Sequence, residues 1–224
     1  TTIRLTSTAV NSFTSIILPK RLVASGLAYS AALSQFGILM GMAFPLIHLP
    51  CTITSALAVV MVPNLAENLA VNDHLAIKKK IYKAYRLTSV ISFFAAPLVA
   101  AIAKPLGLLL FNQAEVGHML TILSPYIVIM GLQSISSSIL NGINKQRTSM
   151  NNFLISSVFL VLCTLILTAI PSLRIYGYII GLYLSGIICT VLNMISVFKS
   201  TGLPFPAMRL LVQPLVCSVI TYVG

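Results

Sequence analysis

The 224-residue chain is 58% hydrophobic and only 8% charged, whereas soluble domains carry about 25% charged residues. So few charges exclude a polar surface around a soluble fold, and we expect lipid to be the main solvent. Fourteen Lys and Arg against three Asp and Glu give a net charge of +11. In a soluble protein this excess would favour nucleic acid. Here the basic residues lie between apolar runs, where they set membrane topology, so no nucleic-acid partner is expected.

Seven apolar runs are long enough to cross a membrane, since a spanning α-helix needs about 20 mainly apolar residues. They cover residues 3–19, 34–62, 84–103, 116–140, 150–170, 175–198 and 207–224. Runs of this length differ from the roughly 10-residue alternating strands of a membrane barrel. The sequence therefore predicts an all-α fold, a polytopic transmembrane helix bundle. Its connections are short except at 19–33 and 63–83, which we interpret as loops.

The first run carries a cation close to its start. Arg4 and Asn11 are seven residues apart and therefore share one face of a helix. An Arg just inside a bundle attracts phosphate through its planar guanidinium, so both residues are candidates for a substrate cavity. The alternative for Arg4 is a side chain that reaches back to the membrane interface.

The second run contains several residues that loosen a helix. Pro45 and Pro50 flank His48, and transporters often place broken helices beside the substrate path. His48 is therefore a candidate cavity-lining donor for a polar headgroup, and the alternative is a His hydrogen-bonded between helices. Pro97 and Pro125 predict kinks in the third and fourth runs. All four prolines are candidate hinge positions.

The most basic segment follows the second run. Lys78, Lys79 and Lys80 are consecutive, and each basic residue near a membrane surface adds about 1 kcal/mol of attraction to anionic lipid. These three residues are candidate anionic-lipid contacts. The alternative is that they only orient the chain in the membrane.

The Lys and Arg residues divide unequally between the two sides of the predicted bundle. One side holds Arg4, Lys78, Lys79, Lys80, Lys83, Arg86, Lys145, Arg147, Lys199 and Arg209, and the other holds Lys20, Arg21, Lys104 and Arg174. The positive-inside rule assigns the first side to the cytoplasm. The 63–83 and 141–148 segments are then cytoplasmic, and the chain is predicted to be a multi-pass protein of the cytoplasmic membrane.

The remaining polar residues form no enzyme motif. The three His and three acidic residues show no nucleophile-and-base pattern, no metal-ligand spacing and no Gly-rich phosphate loop. We therefore predict no enzyme activity, no metal and no cofactor. Most of the other polar positions inside the apolar runs are expected to form hydrogen bonds between helices. These other positions are Gln35, Gln133, Ser134, Ser137 and Asn193.

Several segments together resemble the stage V sporulation protein B and polysaccharide biosynthesis exporter family. They are Leu18-Pro19-Lys20-Arg21-Leu22, Gly41-Met42-Ala43-Phe44-Pro45, Met61-Val62-Pro63-Asn64-Leu65-Ala66-Glu67 and Leu140-Asn141-Gly142-Ile143-Asn144-Lys145-Gln146. Arg4 stands where many members of this family have an Arg. The family lies in the multidrug, oligosaccharidyl-lipid and polysaccharide exporter superfamily.

The resemblance implies two six-helix lobes around a central cavity. Residues 1–200 are then the second lobe, residues 201–224 begin an additional C-terminal helix, and the N-terminal lobe belongs to the same protein upstream. We accordingly expect this chain to be part of a longer protein.

The resemblance further implies a flippase that moves a lipid-linked oligosaccharide or peptidoglycan precursor by alternating access, in spore cortex synthesis among other roles. Its partners are membrane lipids and the lipid-linked sugar. Lipid II flippases of this superfamily carry an Arg in the second helix, whereas no basic residue lies near Pro45 here. Two alternatives remain: a cation-coupled multidrug antiporter, and a non-transporting membrane scaffold for cell-wall synthesis.

Overall fold

The computed structural model describes residue 12 and residues 15–202, and every regular element among them is helical. A first helix, α1, covers residues 15–24. The others are α2 (Tyr29–Phe36), a π-helical segment (Gly37–Ala43), α3 (Phe44–Ala70), α4 (His74–Phe111), α5 (Ala114–Leu123), α6 (Tyr126–Gly142), α7 (Gln146–Leu167) and α8 (Ile175–Thr201). The predicted helical bundle is confirmed.

Five of the seven predicted spans have a counterpart in the described helices. Four segments are long and apolar enough to cross a membrane: Tyr29–Ala70, α4, α7 and α8. A fifth candidate is the pair α5 and α6, which is bent by 50°. The predicted span at 3–19 lies mostly outside the described residues, and the one at 207–224 lies wholly outside them.

The predicted loop at 63–83 is wrong, because most of this segment is helical. α3 continues to Ala70 and α4 begins at His74, so the connection is a tight turn. Asp73 caps α4 by accepting a hydrogen bond from the amide of Ala76 at 2.9 Å. α3 has 27 residues, a length of about 40 Å, which exceeds the ~30 Å hydrocarbon core. The polar residues therefore extend the helices beyond the membrane.

The helix ends alternate between two sides of the bundle. Leu69 near the end of α3, His74 at the start of α4, Lys145 in the α6–α7 turn and Thr201 at the end of α8 line one common cavity. At the opposite side, Gln35, Ala114 and Ile175 line another. The first side carries the lysines that the charge pattern assigns to the cytoplasm.

Apolar side chains form two buried clusters and also cover much of the outside. One cluster joins the π-helical segment with α5 and the N-terminal half of α8. The other joins the C-terminal half of α3 with α6 and the end of α8. Leu109 is 81% exposed, and many other large apolar side chains are exposed along α3, α4, α7 and α8. Such a surface would associate in water but is typical of helices that face lipid.

The predicted helix breaks have different outcomes. Pro45 follows the π-helical segment, and widening of the helix there accommodates a residue that lacks an N–H donor. Pro50 and Pro97 lie inside α3 and α4, which continue through them. Pro125 lies at the 50° bend between α5 and α6. A role of any of the four as a hinge stays a prediction.

Candidate substrate cavity

A cavity of about 660 Å³ lies among the described helices. It lies between α1, the π-helical segment, the start of α3, and the α6, α7 and α8 helices. Its wall consists of Ser15, Met40, Phe44, Pro45, His48, Tyr126, Met130, Gln133, Phe153, Ser156, Ser157, Leu160, Tyr178, Leu182, Ser185 and Gly186. Elements distant in sequence thus build one site within the membrane region.

His48 lies on this wall, together with Pro45. The His48 ring is exposed, and its centroid lies 6.2 Å from that of Phe44 at a tilt of 37°. His48 makes no hydrogen bond to another of the described residues, and both the cavity-lining and the interhelical interpretation stay predictions. Contact with a substrate stays a prediction.

Three serines line the cavity, and their hydroxyl protons are already engaged. Ser156 and Ser157 both donate their hydroxyl protons to the carbonyl oxygen of Phe153, at 2.8 and 2.7 Å. Ser185 donates to the carbonyl of Ser156 at 2.8 Å. Because these protons are engaged with backbone carbonyls, the serine lone pairs are the groups that remain for a ligand. Such oxygens suit a ligand rich in hydroxyl donors.

Aromatic rings form the outer-side wall of the cavity, where α6 and α8 meet. Tyr126 and Tyr183 pack edge to face, with ring centroids 5.3 Å apart. Tyr183 is held by a hydrogen bond to the carbonyl of Ile122 at 2.8 Å. A Cβ on Gly186 would lie 2.8 Å from the Tyr126 ring, so only glycine allows α8 to approach this ring so closely. Tyr126 and Tyr178 thus offer aromatic surfaces on the cavity wall, and Tyr183, which does not line the cavity, packs against Tyr126.

Gln133 supplies the amide of the wall. Its Nε2 donates to the sulfur of Cys189 at 3.3 Å, which joins α6 to α8 as expected for a polar residue between helices. The predicted contacts of Ser137 and Asn193 are likewise present, with the Asn193 amide donating to Ser137 at 3.1 Å. Gln35 differs, since its buried Oε1 has no hydrogen-bond partner among the described residues.

The described wall of the cavity carries no Lys, Arg, Asp or Glu. Asp73 lies in a turn, while Glu67 and Glu115 are exposed near helix ends. Arg4 and Asn11 lie outside the described residues, so their predicted place in the cavity is not tested. Within the described part of the chain no group of His, Cys, Asp and Glu is arranged to hold a metal ion. The described wall is therefore neutral.

The sequence is similar to two curated sporulation proteins of Bacillus subtilis (strain 168). Sporulation protein YkvU is 26% identical over 204 residues, which are 89% of this chain and 45% of YkvU. Stage V sporulation protein B is 24% identical over 187 residues, which are 84% of this chain and 36% of that protein. The chain is a distant homologue of both. The resemblance noted in the sequence is thereby confirmed, and the chain is a membrane protein related to stage V sporulation protein B.

The chain spans less than half the length of these two relatives. No family model and no solved structure matches the sequence. The assignment of residues 1–200 to a second lobe and of 201–224 to a further helix therefore stays a prediction.

Most residues of the cavity wall could not be predicted from the sequence. Tyr126, Tyr178 and Ser185 had no signal of their own, since each is one polar group within a long apolar run. The adjacent pairs Ser156-Ser157 and Ser185-Gly186 were the available signal, because small residues in a membrane helix mark a face that packs closely or lines a cavity.

The three consecutive lysines have three different surroundings. Lys80 donates to the backbone and side-chain oxygens of Asn64, both at 3.4 Å. Lys79 is exposed. Lys78 is half-buried and lines a cavity at the side that the charge pattern assigns to the cytoplasm. The predicted cluster is thus not one uniform lipid-binding surface.

Proposed function

We propose that this chain is part of a multi-pass flippase of the cytoplasmic membrane, which moves a lipid-linked oligosaccharide or peptidoglycan precursor. The observation that carries the proposal is the neutral membrane-level cavity, lined by tyrosine rings and serine oxygens. Distant homology to two sporulation proteins supports a role in sporulation, such as synthesis of spore cortex peptidoglycan.

The chemistry of the wall suits a sugar. Sugar hydroxyls donate hydrogen bonds, and the Ser156, Ser157 and Ser185 oxygens are acceptors. The apolar faces of sugar rings pack on aromatic rings, which Tyr126 and Tyr178 supply. About 660 Å³ is within the usual range of ligand cavities. A saccharide headgroup of a few rings is therefore the ligand class that we propose.

A pyrophosphate group would need positive charge, which the described wall lacks. We propose that Arg4 supplies it from the first helix, assisted by Asn11 and by residues of the predicted N-terminal lobe. Alternating access would carry the headgroup through the cavity while the lipid tails stay in the bilayer. The bend at Pro125 and the π-helical segment before Pro45 are the places where we expect the lobe to flex.

The test uses the full-length protein that contains this chain, reconstituted in liposomes with a fluorescent lipid-linked sugar. We expect His48→Ala and Gln133→Leu each to lower the flipping rate about five- to tenfold, since a hydrogen bond to a ligand contributes about 1 kcal/mol. His118→Ala is the matched control, because His118 is exposed near the start of α5 and lines a different cavity.

Two results would overturn the proposal. One is a reconstituted protein that flips no lipid-linked sugar of any kind. The other is an Arg4→Gln, His48→Ala double variant that supports spore cortex synthesis as well as the unchanged protein does. The second result would favour a membrane scaffold instead.

A further inference from the structure

The cytoplasmic side of the bundle contains a second cavity, of about 440 Å³. It lies between the end of α3, the start of α4, the α6–α7 turn and the end of α8. Its lining residues are Leu69, His74, Ile77, Lys78, Ile143, Lys145, Ser200 and Thr201. The substrate cavity described above shares none of these residues, so the two are separate sites.

Positive charge converges on this cavity. Lys78 of α4 and Lys145 of the α6–α7 turn both line it, and no acidic residue does. Neither lysine forms an ion pair with another of the described residues. The carboxylate nearest to Lys78 in sequence is that of Asp73, which caps α4 by accepting a hydrogen bond from the Ala76 amide. The two ammonium groups therefore lack a carboxylate partner in the cavity.

The N-terminus of α7, which follows Lys145 and has no side-chain cap, lies at this cavity, whereas the N-terminus of α4 is capped by the Asp73 carboxylate. The C-terminal ends of α3, α6 and α8 also border the cavity, so the free amides of α7, rather than a net helix-dipole charge, favour an anion. The N-terminus of a helix carries a partial positive charge and free N–H donors. Ser200 and Thr201 add hydroxyls at the end of α8. Ammonium groups, free amides and hydroxyls together are the donors that bind phosphate oxygens.

The predicted spans place this cavity close to the lipid headgroups. The predicted spans begin at residue 84 in α4 and at residue 150 in α7, which places Lys78 and Lys145 about 9 and 7.5 Å outside the hydrocarbon core at 1.5 Å per residue. The headgroup layer on each side is roughly 5 to 7 Å thick. A lysine side chain is long enough to span the distance that remains between its backbone and the headgroups.

We propose that this cavity binds a phosphate group, with Lys78 and Lys145 as its cationic ligands. The phosphate belongs either to an anionic lipid of the cytoplasmic leaflet or to a soluble phosphate compound. This assignment goes beyond the charge cluster seen in the sequence, because it pairs Lys78 with Lys145, which lies in a different part of the chain, and leaves out its neighbour Lys79.

A competing explanation uses Lys78 alone. A Cβ added to Gly202 would lie 4.0 Å from the Nζ of Lys78, so this ammonium lies near the C-terminal end of α8. Cations stabilise the negative end of a helix dipole. In that case Lys78 would stabilise the fold and no ligand would be needed, and Lys145 would be irrelevant.

The experiment measures binding to the full-length protein in detergent by native mass spectrometry. The probes are short-chain phosphatidic acid, phosphatidylglycerol and inorganic phosphate. We expect Lys78→Gln with Lys145→Gln to weaken binding about thirtyfold, because each basic residue contributes about fivefold. The matched control, Lys79→Gln with Lys199→Gln, removes the same charge from exposed positions that do not line the cavity and should change binding less than threefold. Lys78→Arg with Lys145→Arg should retain it.

The outcomes separate the explanations. Lysine-dependent binding of the two lipids but not of inorganic phosphate supports a lipid source, and the same dependence for inorganic phosphate supports a soluble one. Equal losses in the test pair and the control pair would show diffuse attraction and overturn the site. Unchanged binding in the test pair, with or without a lowered unfolding temperature, would also overturn it.

Discussion

An amide network links three helices below the substrate cavity, and its loss should be measurable. Asn152 of α7 donates through Nδ2 to Asn193 Oδ1 at 2.9 Å and to Ser196 Oγ at 3.2 Å. Asn193 of α8 donates in turn to Ser137 of α6 at 3.1 Å. Asn193 is fully buried and Asn152 is 7% exposed. Replacing Asn152 by Leu keeps the side-chain size and removes both of its hydrogen bonds.

We expect Asn152→Leu to lower the free energy of unfolding by about 1 to 4 kcal/mol. Hydrogen bonds between membrane helices average about 0.6 kcal/mol each, so the two bonds account for about 1.2 kcal/mol. The variant also leaves Asn193 Oδ1 buried without a hydrogen-bond donor. An unsatisfied polar group of this kind costs at most about 1–3 kcal/mol more. Unfolding of the purified protein by SDS in mixed micelles, followed by circular dichroism, measures the change.

The adjacent residue provides the control. Asn151 is exposed on the same helix, so Asn151→Leu should change stability by less than about 0.5 kcal/mol. A double-mutant cycle between Asn152 and Asn193 should give a coupling of about 0.6 to 1.7 kcal/mol. Equal effects of Asn151→Leu and Asn152→Leu, or a coupling near zero, would refute the network.

Three further substitutions test close packing and the cavity. Gly117→Ala should destabilise the protein by about 1–3 kcal/mol in the same SDS assay, because the added Cβ would lie 2.8 Å from the backbone of α4. Gly41→Ala is the control and should leave stability unchanged, because no atom lies within 4 Å of the added Cβ. Tyr85→Phe should destabilise by about 0.5–1.5 kcal/mol through loss of its 2.9 Å hydrogen bond to α6; an unchanged midpoint would contradict this. Gly186→Ala pushes against the Tyr126 ring and should slow flipping in liposomes several-fold, and an unaltered rate would argue against the substrate cavity.

The local pattern of the chain was sufficient for its main elements. The spans predicted at 84–103 and 175–198 lie inside α4 and α8, and the span predicted at 150–170 overlaps α7 up to its end at Leu167, because hydropathy over about 20 residues is a property of the sequence alone. The two sides predicted from the positions of the Lys and Arg residues likewise agree with the two sides on which the helix ends lie. His48 could be singled out because a polar ring between two prolines is conspicuous in an apolar run.

Helix continuity was harder to predict. The polar residues after Pro63 look like a loop by hydropathy, yet α3 continues to Ala70 because a helix outside the bilayer core tolerates charge. Pro125 breaks its span into two helices, whereas Pro97 does not. The residue type is the same at both positions, and the packing around each one decides the result.

What the sequence by itself determined is therefore a membrane-embedded helical bundle, its predicted orientation and its distant family. The tertiary structure alone decided which faces meet. Lys78 and Lys79 are neighbours in the chain, but successive helical residues point about 100° apart, so one lines a cavity with Lys145 and the other is exposed. The walls of both cavities come from segments far apart in the chain, and such contacts depend on helix packing rather than on any local pattern.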